Sequence, residues 1–238
     1  METQIQLGDI TVDVVLKDIK NIHLSVYPPN GRVRISAPSR MDIDSIRIYA
    51  ISKLDWIKKQ QKKQLEQERE TKREYLDLES HYVWGKRFLL EVSEVNKPPS
   101  VEVLHNKILL KVRPGAGEEK KRETIEKWYR KQLKAAVPPL IAEWEQKLGV
   151  NVERLFVQKM KTRWGSCNNK KNSIRLNTEL AKKTKECLEY IVVHEMTHLI
   201  EPTHNHRFIA LMDYHLPHWK QLRDELNRMP LGHVDWKY

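Results

Sequence analysis

The sequence predicts an α+β protein in two parts, and three features carry that prediction. Short apolar–polar alternations crowd residues 4–37 and 83–112. Apolar stripes at helical spacing follow Asp42 and Glu118. A late apolar segment carries two histidines four residues apart, His194 and His198. Residues 1–115 are therefore expected as an N-terminal antiparallel β-rich domain, with a long charged helix over about residues 42–74. Residues 116–238 are expected as a second domain built around the late helix.

In the first part, Thr11–Val15 and Ile22–Val26 alternate partly, and Arg32–Ser36 alternates cleanly. Pro28-Pro29-Asn30-Gly31 reads as a turn, so these segments suggest an antiparallel hairpin with one wet face. Asp42 and Asp44 sit where a helix N-terminus favours acids, and Ile46, Tyr49, Ala50, Leu54 and Ile57 form the stripe behind them. Lys58 to Arg73 is almost wholly charged or amide, as in an exposed helical extension or arm. Strands are expected over Val83–Val92, Val101–Leu104 and Ile108–Val112. Pro114-Gly115-Ala116-Gly117 is the clearest linker, which places the boundary there.

In the second part, Glu118 to Val137 reads as a helix that Pro138-Pro139 breaks or kinks. The stripe continues through Leu140, Ile141, Trp144 and Leu148, and Gly149 is a natural stop. Arg154–Met160 and Ile174–Asn177 read as strands. Thr184 is placed to cap the late helix, and His218–Asn227 to form a last short one.

Composition narrows the function classes. At 238 residues the chain can bury a real core in one or two domains. No apolar run is long enough to span a bilayer, and the start is acidic and polar rather than signal-like. A cytoplasmic protein without a membrane partner is the expectation. Cys167 and Cys187 do not make a Cys-x-x-Cys pair, so no disulfide framework is implied. The net charge of +11 favours acidic partners, nucleic acid among them, although lysine-rich solvated helices give the same number.

The chemistry concentrates in residues 190–208. On a helix, His194 and His198 lie one turn apart on one face and can grip one metal ion, while Glu195 can reach a water beside it. Zinc takes four ligands and a catalytic site leaves one to water, so one further protein ligand is wanted. His204, just past the helix-stopping Pro202, is the first candidate and Glu201 the main competitor; His206, His215 and His218 follow. Glu195 is expected as the general base that activates water on zinc for attack on a carbonyl. Tyr214, His215 and Arg207 are possible oxyanion donors.

Lys161-Thr-Arg-Trp-Gly-Ser-Cys167 lies about 20 residues before the helix, and Ile174-Arg175-Leu176-Asn177 lies between them. With the His-Glu-x-x-His helix, with His204-Asn-His-Arg-Phe208, and with Leu216-Pro-His-Trp219, this resembles the YgjP-like metallopeptidase family, related to SprT-like and Wss-like zinc proteases. The resemblance implies a zincin-like catalytic domain and a zinc-dependent peptidase acting on protein or peptide, and it hints at DNA or a DNA-bound protein as a partner. It implies His194, His198 and His204 as ligands and Glu195 as the catalytic residue. Met196, Thr197 and Thr203 depart from the family pattern without touching a ligand.

Within that frame, Gly165 is read as permitting a turn and Trp164 as packing beneath the motif helix. Ile174, Arg175, Leu176 and Asn177 are read either as an edge strand that binds an extended peptide or as an ordinary core strand. The alternative function is a nucleic-acid-associated binding or adaptor protein with a non-catalytic zinc site. A hydrolase of some non-peptide amide is a third.

Overall fold

The computed structural model describes residues 2–27, 30–66, 73–160 and 163–228. The architecture is mixed α+β, with three separate sheets and six α-helices among the described residues. The chain divides into two compact units between Glu68 and Arg69.

Unit one carries strands β1 (Glu2–Leu7), β2 (Ile10–Lys17), β3 (His23–Tyr27) and β4 (Arg32–Pro38) in the order β1-β2-β4-β3. The expected hairpin is the β3–β4 pair, which is antiparallel. β2 instead runs parallel to β4, with Val12 beside Val33 and Val14 beside Ile35. Those four residues are fully buried, under Ile46 and Ala50 of helix α1 (Ile43–Ser52) and Ile57 of helix α2 (Leu54–Glu66). Fully burying a branched side chain stabilises by about 1.5–3 kcal/mol, so this small cluster is enough to hold sheet and helices together.

The single long helix expected over 42–74 is two helices. Asp42 caps α1 by accepting from the Ser45 amide at 2.7 Å. Lys53 ends it, with its own amide turned back to the Ala50 carbonyl. Part of the Lys/Gln/Glu run, residues 67–72, lies outside the described residues. Arg73–Glu79 is an irregular turn rather than helix.

In unit two, strands β5 (Ser80–Val83), β6 (Lys86–Glu94), β7 (Ser100–Val103) and β8 (Lys107–Val112) form a sheet ordered β5-β6-β8-β7. Helix α3 (Glu118–Leu148) follows directly. Its buried residues Ile125, Tyr129, Leu133, Val137, Ile141, Trp144 and Leu148 recur every three or four positions. Pro138 and Pro139 lie inside this continuous helix, so the expected break does not occur: the apolar stripe on both sides of them keeps the helix on its core.

The second sheet of unit two has strands β9 (Arg154–Gln158), β10 (Gly165–Asn168) and β11 (Ser173–Asn177), ordered β10-β11-β9. Helices α4 (Lys185–Thr197), α5 (His206–His215) and α6 (Trp219–Arg228) complete the unit.

The boundary expected at residues 115/116 is not a break in the core. Leu90, Ile108 and Leu110 of the first sheet belong to the same buried cluster as α3, β11 and α4. Pro114–Gly117 only turns the chain from β8 into α3. The sheet of residues 80–112 therefore belongs with the late helix and not with the N-terminal strands.

Two fittings fix α4 at its start. Thr184 caps it, its hydroxyl accepting from the Cys187 amide at 3.3 Å. The β5–β6 hairpin turn then packs on the cap. Trp84 (φ 49°) and Gly85 (φ 77°) both lie in the left-handed region, as a tight hairpin turn requires. Their amides bond the carbonyls of Ala181 and Lys182 at 2.9 and 3.2 Å. A Cβ on Gly85 would lie 2.6 Å from the Thr184 methyl, so only glycine permits this approach.

Candidate metal centre

Helix α4 is apolar on nearly all sides: Leu188, Ile191, Val192, Val193 and Met196 are buried. His194 lies in its last turn, and His198 caps its C-terminus with its amide on the His194 carbonyl at 3.3 Å. The chain then turns through residues 199–205 into α5. Asn205 caps α5 by accepting from the Phe208 amide at 3.1 Å, which sets His204 immediately before that cap.

These two helix ends bring His194, His198 and His204 together. One ring nitrogen from each lies within 4.8 Å of the others, and no other trio of potential ligands converges in this way among the described residues. Nε2 of His194 and Nε2 of His204 are 3.0 Å apart. Phe208, 1% exposed, touches all three rings, with centroid separations of 5.0, 4.7 and 4.8 Å to His194, His198 and His204. It stacks on His198 and meets the other two edge-on, so it is the common floor of the cluster. In sequence it was only another aromatic. Its place at the start of α5, behind an Asn cap, was the signal available.

The electrostatics suit ligands. Burial, then the neighbouring His198 and His204, depress the His194 pKa to about 3. Burial lowers that of His198 as well, against the Glu201 carbonyl, which favours its protonated form. Neutral imidazole is the form that ligates metal. His198 Nδ1 is 3.1 Å from that carbonyl, which fixes the ring and leaves Nε2 free to face the other imidazoles. Nδ1 of His194 is buried without a hydrogen-bond partner. Three imidazoles with converging nitrogens are a donor set of the kind that binds zinc, so the residues fit the ion that the sequence suggests.

The competing ligand, Glu201, is otherwise engaged. Its carboxylate accepts from the Thr203 hydroxyl at 3.1 Å, and only its backbone serves the cluster. His206 is the exposed first residue of α5, His218 is exposed, and His215 packs edge-on against Trp144. None of the three joins the trio. Tyr214 is 80% exposed, with its ring on His215, and Arg207 is exposed.

Glu195 is 5% exposed. Burial pushes its carboxyl up to about 7, with the Arg163 charge pulling the other way. It lies against Gly165 of β10, where an added Cβ would meet Oε1 at 2.5 Å. Gly165 therefore serves a close approach. Its φ is not in the left-handed region, and it opens strand β10. Trp164 is half-buried against the core, with the Lys183 ammonium 5.5 Å from its ring centre.

Ile174–Asn177 is not an edge strand. β11 pairs with β10 on one side and β9 on the other, so no extended peptide can add to it. Ile174, Leu176 and Asn177 are buried, and Arg175 reaches over the Phe156 ring at 5.6 Å. Asn177 is a staple instead. Its amide donates to the carbonyls of Met160 at 3.0 Å and Arg163 at 2.8 Å, and its carbonyl accepts from the amides of Met160 and Glu179. That ties the backbone at Met160 and at Arg163 to the end of β11. Among the described residues, β10 is the strand next to α4 that pairs on one side only.

The motif helix, the converging imidazoles and the adjacent carboxylate are features of a metal-dependent hydrolase. The family model of the YgjP-like metallopeptidase domain matches residues 20–229, and the chain belongs to that family. Among solved structures, the chain is similar to the metallopeptidase zymogen of Methanocaldococcus jannaschii, jannalysin. The two are 21% identical, with a TM-score of 0.33, over 37% of this chain and 90% of that one. No curated protein matches. No helix among the described residues is long and apolar enough to cross a membrane.

Proposed function

We propose that the protein is a zinc peptidase of zincin-like architecture, with His194, His198 and His204 holding the ion and Glu195 as general base. The observation that carries this reading is the convergence of three imidazoles, with nitrogens within 4.8 Å, beside a buried carboxylate. Zinc, when bound, supplies Lewis acidity to water and to the substrate carbonyl.

The chain's own residues do the rest. The Glu201 carbonyl and Phe208 orient the rings of the trio. Glu195 takes a proton from the attacking water and returns it to the leaving nitrogen, a role suited to a carboxyl that burial has brought near neutral pH. Gly165 lets β10 lie against that carboxylate, so the open side of β10 is the place for an extended substrate backbone to pair.

The test is a pair of measurements on one variant. Glu195→Gln should keep its zinc by elemental analysis and lose peptide hydrolysis. Zinc retained with hydrolysis intact would remove the role given to Glu195, and a wild type that binds no zinc would remove the centre.

A further inference from the structure

We propose that the groove between β7 and α3 is a docking site for an acidic, extended peptide segment of a protein partner. Two depressions of about 380 and 500 Å³ lie end to end along β7 and share Trp128. The first reaches from Pro99–Val101 to Lys120, Lys127 and Lys131 of α3, and the second from Val103 to Lys86 and Lys185. Against these five lysines stand Glu123, already paired with Lys120 at 3.3 Å, and Glu186. Lys86, Lys127, Lys131 and Lys185 are exposed and form no ion pair among the described residues. Four solvated ammonium groups facing one trough are a charge waiting for acidic side chains.

The backbone supplies the second half of the match. β7 is the last strand of its sheet, and among the described residues nothing pairs with its outer side. The Leu104 amide bonds the Lys107 carbonyl at 2.8 Å across the hairpin turn. In an antiparallel pair the bonded residues alternate, so Glu102 bonds toward β8 while Val101 and Val103 turn their N–H and C=O groups outward. Val103 and Leu104 are exposed, at 44% and 47%. An open edge bearing exposed apolar side chains is a template for another strand.

An extended peptide meets both demands, pairing with Val101 and Val103 and reaching the lysines with acidic side chains. A single-stranded nucleic acid would need exposed aromatic faces on which to stack. Trp84, Phe88 and Trp128 line the groove but are half-buried against the core, and a nucleic acid would leave the outward N–H and C=O groups of β7 unpaired. The groove ends at Lys185, the first residue of α4, while His194 is nine residues on. That is roughly 14 Å along the axis at 1.5 Å per residue, so a docked partner can leave the metal centre clear.

The test is fluorescence anisotropy on the full chain carrying Glu195→Gln, with a labelled octapeptide alternating glutamate and valine. Saturable binding is expected. Lys127→Glu with Lys131→Glu should weaken it by at least about tenfold. Val103→Pro, which removes one outward N–H but no bond to β8, should weaken it too. So should N-methylation of alternate peptide amides, which leaves the protein unchanged. No binding, or equal binding by the N-methylated peptide, overturns the proposal. A single-stranded oligonucleotide that displaces the peptide and is insensitive to Val103→Pro also overturns it, in favour of a phosphate-binding surface. Binding is read without turnover, so a protein without peptidase activity leaves each outcome as informative.

Discussion

Gly165 and Glu195 are packed so closely that a methyl group on the first would lie 2.5 Å from Oε1 of the second. Strand β10 and the helix of the metal centre therefore meet at the proposed general base. Gly165→Ala should push the carboxylate away while leaving all three imidazoles in place. Zinc content should be unchanged and kcat/KM should fall by about 10²-fold, the scale of a misplacement near 1 Å. Parallel loss of zinc would mean that the strand supports the ligands and not the base.

The third ligand can be tested by comparing two neighbours. His204→Ala should weaken zinc binding strongly in a competition titration with a chelator. Glu201→Ala should change it little, because the contact to His198 comes from the backbone carbonyl, which alanine keeps. The opposite order would reassign the ligand.

Phe208→Ala should lower zinc affinity by about 10–100-fold, as expected when a residue that orients ligands is lost. It touches all three rings without ligating anything. Phe208→Leu should recover part of the loss, since it refills the floor. Full affinity in Phe208→Ala would show that the histidines hold themselves.

Glu79 makes folding acid-sensitive. Its carboxylate accepts from the amides of Glu74 and Tyr75 at 3.0 and 2.8 Å and pairs with Arg73 at 3.2 Å and His81 at 3.0 Å. Burial raises its pKa, but His81, Arg73 and the two amides outweigh burial and hold it below the ordinary carboxylate value. A depressed folded-state pKa gives stability that is present above the unfolded value and lost as pH falls through the folded one. Glu79→Gln should cost about 1–3 kcal/mol in urea unfolding at pH 7. The gap from wild type should close in acid below the usual carboxylate range. A gap independent of pH would assign the loss to packing alone.

Asn177→Ala should leave the carbonyls of Met160 and Arg163 without the side-chain amide that they share. Urea unfolding of the variant should show a loss of about 1–3 kcal/mol. An unchanged midpoint would show that these bonds add nothing to stability.

The parts of this fold that could be read in sequence are those whose signals are local. Thr184, the apolar run after it and Pro202 mark α4 and its end, and the spacing of His194 and His198 follows from helix geometry. His204 could be ranked over Glu201 from its place just past Pro202, and the Glu201 side chain turning to Thr203 adds a reason that sequence does not carry. Strand order could not be read, because Ile174–Asn177 has the same local pattern at an edge as in the middle of a sheet. Pro114–Gly117 looked like a boundary because turn chemistry marks where a chain bends, not which surfaces share a core. Pro138-Pro139 signalled a break that the stripe from Ile125 to Leu148 overrode. Helix α5 hid behind a mixture of histidines, charges and apolar residues that blurs its period, although Asn205 was there to announce it.

Gly85 at one end of α4 and Gly165 near the other each press backbone against it with no space for a single carbon. A side chain at either position would displace the end of the helix that it meets, and only the displacement at Gly165 would reach the carboxylate next to His194.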